Sequence, residues 1–151
     1  MGQDGVVLTD ADQVRNLLGR YCERLDAGDF DGVGALFALG RLATEDGEVL
    51  ATGAAEVAAF YRAGTRLHGT TPATKHLVSN TVLEQSPDGL TMIARSSYVV
   101  FQALEGVLAL QPIIAGRYVD AFARDDDWAW AERRFSVDLV GDLAHHLAYR
   151  L

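Results

Sequence analysis

The hydrophobic period of this chain changes once, near residue 74, and that single change restricts the folds open to it. Before it, apolar residues recur at helical spacing; after it, they alternate. Residues 74–86 (TKHLVSNTVLEQS) predict a strand closed by the turn Pro87-Asp88-Gly89. Residues 90–104, 107–124 and 127–139 predict three more, with Pro112 and Gly116 marking an edge position, a bend or a bulge in the third. Helices followed by long antiparallel strands argue an α+β domain with its helices on one face of a sheet. The length of 151 residues suits a single domain, residues 1–151, with 141–151 as a C-terminal tail that reads as a weak helix or an extended arm.

The helical part opens with LTDADQVRNLLGRYCERLDAGDFDG. Val14, Leu17, Leu18, Tyr21, Cys22 and Leu25 form one apolar stripe. Thr9 or Asp10 can cap its start, and Gly28 is a natural stop. Asp26 lies four residues past Cys22 on the same diagonal, at the edge of the buried face. It also occupies the last turn, where the negative end of the helix dipole disfavours a carboxylate. That cost invites a functional explanation. Asp29 reads instead as the N-cap of a second, short helix, DFDGVGALFA. Residues 41–51 suggest a hairpin around Asp46-Gly47. Residues 53–68 suggest a third helix with Val57, Phe60, Tyr61 and Leu67 inward, and the Gly/Thr/Pro-rich segment 64–73 a loop.

Composition excludes several functions. A net charge of −8 without any basic run speaks against nucleic acid or an anionic membrane as partner. No apolar run approaches membrane-spanning length. The start, MGQDGVV, lacks a signal peptide, and Val6 stands where a myristoylation signal needs Ser or Thr. A cytoplasmic domain is expected. Cys22 is the only cysteine and reads as a small core residue. His145 and His146 are adjacent in the tail, so their side chains diverge, and no Asp, Glu or Cys stands at metal-ligand spacing from them. Neither a metal nor a cofactor is expected. There is no glycine-rich phosphate loop after a strand and no nucleophile elbow.

Across residues 8–140 the pattern resembles the NTF2-like superfamily, in particular its SnoaL-like branch. The matching words are Tyr21-x4-Asp26-x2-Asp29 with Leu36-Phe37, then Lys75-His76 with Asn80. Gly116-x-Tyr118-x-Asp120 follows, and then Trp128 with Arg133. The resemblance implies a cone: a strongly curved mixed or antiparallel sheet wrapped around the N-terminal helices, with an apolar pocket inside. The branch includes scytalone dehydratase, a bile-acid 7-dehydratase, a dehydrochlorinase and polyketide cyclases. Carried over by motif, Asp26 and His76 are an acid–base pair and Tyr21 the phenol of the bile-acid enzyme. Arg133 and Tyr118 match residues that bind substrate in the pocket.

The implied function is a cofactor-independent lyase, a dehydratase-like elimination on a small apolar, polycyclic or aromatic molecule. The alternatives within the fold are a polyketide cyclase or isomerase, and a non-catalytic ligand-binding protein or dioxygenase-type small subunit. The Asp–Arg–Asp set of the epoxide hydrolases is not found. Family members commonly dimerise through the outer sheet face. Apolar residues on both parities of the last strand, Trp128 and Trp130 against Phe135 and Val137, fit a homodimer with both faces buried.

Overall fold

A computed structural model describes residues 5–151; most of the terminal stretch read above for targeting signals lies outside them. In chain order the elements are α1 (Asp10–Asp26), α2 (Phe30–Leu36), β1 (Arg41–Thr44), β2 (Val49–Thr52) and α3 (Gly53–Gly64). The four long strands follow: β3 (Thr74–Gln85), β4 (Thr91–Leu104), β5 (Leu108–Arg124) and β6 (Trp128–Val140). No helix among the described residues is long and apolar enough to cross a membrane.

Local chemistry sets the helix ends. The Thr9 hydroxyl accepts the Asp12 N–H and caps α1. At the other end Gly28 adopts φ +74°. Its N–H reaches the Leu25 carbonyl at 3.0 Å and the Asp29 N–H reaches Arg24 at 2.9 Å, the paired bonds of a Schellman stop. Glycine is required there twice over, because a Cβ would lie 2.4 Å from the Thr70 carbonyl oxygen. Asp29 is the N-cap of α2, its carboxylate accepting the Gly32 N–H at 2.9 Å. These bonds fix where α1 ends, and therefore where Asp26 stands.

The six strands form one curved, unclosed sheet in the order β2-β1-β6-β5-β4-β3, antiparallel except for the β1–β6 pair. α1 lies along its inner face, where Val14, Leu18, Tyr21 and Leu25 join Phe37, Phe122 and Trp130 in the core. Bulges bend the long strands. Asn80 takes a left-handed φ of 54° where β3 slips against β4 between Ser79 and Val82. β5 is not an edge strand but lies between β4 and β6, and Ile113 is its extra residue. Pro112 escapes a lost ladder bond because β5 pairs with β6 only from Ile114 onward.

Three expectations need correction. The third helix stops at Gly64, not 68, because Thr65 turns into extended backbone that bridges Leu147; Leu67 is left outside and exposed. Of the two readings of the tail the helix is the one to drop: after a turn at 144–146 it runs as an extended strap against the 64–73 loop, held by the Thr65–Leu147 bridge. The double parity of β6 comes from one extra residue, Ala131, in the ladder. Trp128 and Trp130 before that bulge and Phe135 and Val137 after it all turn to the inner face, so the pattern carries no sign of a second buried face.

Candidate functional site

Asp26 closes α1 with all of its visible hydrogen bonds directed at the first turn of β3. One carboxylate oxygen lies 2.5 Å from His76 Nδ1 and accepts the Thr74 hydroxyl at 2.9 Å; the other accepts the His76 backbone N–H at 2.9 Å. Burial opposes the charge of this half-buried group, but the bonds from the ring and backbone of His76 and from Thr74 outweigh it, holding the carboxyl below the usual Asp value. These partners offset the unfavourable helix dipole. A carboxylate only accepts, so Nδ1 carries the proton of this contact, and in the neutral ring Nε2 is the nitrogen left as acceptor.

His76 is 8% exposed and lines a cavity of about 110 Å³ between α1, α3, the inner sheet face and the tail. Strand register builds the wall: His76 pairs with Val100 and Val100 with Ile114, one row of inward side chains. The next row sets Tyr98 beside Gly116. A Cβ at Gly116 would stand 2.7 Å from the Tyr98 hydroxyl and 2.0 Å from the Ser136 carbonyl. The bare glycine lets Tyr98 lie across the strand and donate to Ser136 O at 2.9 Å. Tyr118 stacks on Tyr98 with ring centroids 4.3 Å apart.

Tyr21 also lines the cavity, its hydroxyl 2.6 Å from that of Tyr61 on α3 and its ring 6.5 Å from the His76 ring. Burial raises both phenol pKa values, Tyr61 further because its neighbour's phenol adds to the effect. Both remain neutral proton donors. The chamber therefore combines an apolar wall with a buried imidazole and a pair of phenols from α1 and α3. Among the described residues, no three His, Cys, Asp or Glu side chains gather as they would around a metal ion.

Residues 6–135 match the family described as the SnoaL-like domain. The chain belongs to the SnoaL-like family. No curated protein matches it by sequence. Solved structures share the fold at low identity. ActVI-ORFA from Streptomyces coelicolor is 22% identical, with 85% of this chain and 97% of that one covered at a TM-score of 0.69. An NTF2-like protein with a cystatin-like fold from Novosphingobium aromaticivorans is also 22% identical, covering 90% and 86% at 0.69. A provisionally assigned scytalone dehydratase from the same organism is 17% identical, covering 88% and 87% at 0.68.

Within this SnoaL-like fold the five sequence-selected residues do not all take the same place. Asp26 and His76 touch, Tyr21 and Tyr118 line the cavity, and Arg133 does not line it. Arg133 is fully buried, bound to Asp120 at 2.7 and 2.9 Å, with its guanidinium carbon 3.6 Å from the centroid of Tyr118 and 4.3 Å from that of Tyr21. Burial works against this cation, yet Asp120 and the stacked tyrosines hold its pKa well above the ordinary Arg value. It underlies the aromatic floor.

Tyr61, Tyr98 and His146 line the cavity and are not among the residues selected from sequence. Tyr61 was placed correctly on the inner side of α3 but carried no chemical motif. The adjacency of His145 and His146 in the tail speaks only against a metal site, yet His146 is 7% exposed and lines the cavity. Only the apolar spacing of Leu143, Leu147 and Tyr149 around it hinted that this tail covers something.

Proposed function

We propose that this SnoaL-like protein is a cofactor-independent lyase that eliminates water, or a comparable leaving group, from a small ring compound. The reading is carried by one observation: the Asp26–His76 contact of 2.5 Å, with His76 on the wall of an apolar cavity shared with Tyr21. His76 Nε2 takes a carbon-bound proton next to an activating carbonyl. The C–H electron pair becomes the new double bond as the bond to the leaving hydroxyl breaks toward oxygen. The imidazolium, stabilised by Asp26, or the Tyr21 phenol returns a proton to that oxygen, and water leaves. Tyr21 and Tyr61 can instead hold the carbonyl oxygen as negative charge develops on it. Arg133 acts from below, fixing the rings of Tyr21 and Tyr118. A homodimer through the outer sheet face belongs to the same proposal.

The test is turnover of hydroxylated and halogenated ring compounds, followed by the alkene chromophore or released halide. On any compound the parent protein converts, His76→Ala should abolish turnover with folding nearly unchanged. Asp26→Asn should cost roughly 10²–10⁴-fold, because the Nδ1 proton is no longer held in place. Rates in both variants unchanged from the parent would overturn the reading. A protein that binds such compounds tightly, releases them unchanged, and is indifferent to both substitutions is a binding member of the same fold.

A further inference from the structure

The strap contributes a polar ring to the cavity, and no described residue is hydrogen-bonded to it. His146 Nδ1 is buried and has no hydrogen-bond partner among the described residues. The ring lies 6.2 Å from that of His76, centroid to centroid, with an interplanar angle of 64°. A polar atom left unpartnered in an apolar surround is costly and rare. The ring's position is imposed by the backbone on either side of it. The His146 carbonyl accepts the Arg66 N–H at 2.8 Å, and its N–H reaches the Leu143 carbonyl at 3.0 Å. Ala148 N–H bonds Gly64 O at 3.0 Å, and the His145 carbonyl accepts from Gln102 at 3.0 Å and from His68 at 2.7 Å. With the backbone holding it, the imidazole keeps its donor and its acceptor unspent.

We propose that His146 is a ligand-binding residue of this cavity that recognises a hydroxyl group on the bound ring, on the wall beside His76. The strap is then part of the binding site and not only its cover, and the ligand class narrows to hydroxyl-bearing apolar rings. This rests on the cavity being a ligand site; it does not require the elimination chemistry. Burial pushes the His146 pKa down to about 4, aided by the nearby His76, so the ring is neutral near pH 7 and can accept from the hydroxyl as well as donate to it. A site built to satisfy a hydroxyl discriminates against the analogue that lacks one, because its own polar group stays unpaired.

Phenol and benzene are suitable probes: they are the smallest aromatic rings with and without a hydroxyl, and the cavity of about 110 Å³ is open on one side, so a ring need not fit wholly inside it. Affinities for both are measured by NMR titration on the full chain, with ¹⁵N shifts of the histidine rings as a second readout. The expected result is a preference for phenol, a phenol-specific shift of the His146 nitrogens, and a roughly three- to tenfold loss of that preference in His146→Leu with benzene binding kept. His146→Gln, which keeps a donor and an acceptor, should recover part of it. If His146→Leu binds phenol and benzene with the parent's ratio, the proposal is wrong, whatever Asp26→Asn does to turnover. If neither probe binds the parent protein, the cavity is not a ligand site for such rings and the proposal falls with it.

Discussion

His146 and Asp26 show opposite ways of burying a titratable group, and each has a signature in acid. Asp26 keeps its charge against burial because three hydrogen bonds, from the ring and backbone of His76 and from the Thr74 hydroxyl, converge on it, so its stabilising contribution is lost only as pH falls below the ordinary Asp value of 3.8. His146 keeps neutrality: its folded pKa of about 4 lies below the ordinary 6.5, with His76 and His68 disfavouring its charge and Asp26 favouring it. Between those two values the unfolded chain binds a proton that the folded chain refuses, so stability must fall as pH drops from 6.5 toward 4. A shift of this size corresponds to on the order of 3 kcal/mol at the acid end of the window. Denaturant midpoints taken across pH 4–7 should slope downward in the parent and lie flatter in His146→Leu. An unchanged slope would place the responsible group elsewhere.

At the level of elements, the site depends on departures from regular strands. Gly116 leaves the room that Tyr98 occupies over β5, and Tyr98 in turn supports Tyr118. Gly116→Val places methyls where the Ser136 carbonyl and the Tyr98 hydroxyl already sit. The expected loss is about 1–3 kcal/mol, typical of overpacking, read as a lowered thermal midpoint. Its companion in near-UV circular dichroism should be a changed tyrosine signal. A variant as stable as the parent would show that Tyr98 can move aside freely.

These same departures mark the limit of what the sequence discloses. The helix stripe, the Gly28 stop, the Asp29 cap and the change of period all follow from local rules, and with them come the order of elements and the address of Asp26. His76 falls on the inner face because its parity in β3 is uninterrupted up to that point. Arg133 does not follow from such counting: the Ala131 bulge turns it inward under the rings, and the buried partner Asp120 lies on another strand. The tail is harder still. Its role is decided by contacts with Thr65, Gly64 and Gln102, far away in the chain, and no periodicity of eleven residues encodes those.

For the whole molecule, the strap decides which ligands enter. Leu147, Tyr149 and Leu151 stand with His146 on the wall of a cavity of about 110 Å³ that is open to solvent on one side. A two-ring compound exceeds that volume, so its binding is expected to require the strap to lift from the 64–73 loop, which would make the attachment of the strap a gate on size. Thr65 and Leu147 are paired across an antiparallel bridge, where Cα separations of about 4.5–5.5 Å suit a disulfide. The double variant Thr65→Cys/Leu147→Cys should lock the strap when oxidised. Cys22 does not compete for the new bond, since burial drives its thiol up to about 11 and keeps it protonated. Binding of 2-naphthol, followed by its fluorescence, should be blocked or slowed at least tenfold in the oxidised form and restored by reductant, while phenol binding changes little. If the locked protein takes up 2-naphthol as fast as the reduced one, the route into the cavity does not run under the strap, and the next place to test is the groove between α1 and β3 that Cys22, Asp26, Thr74 and His76 line.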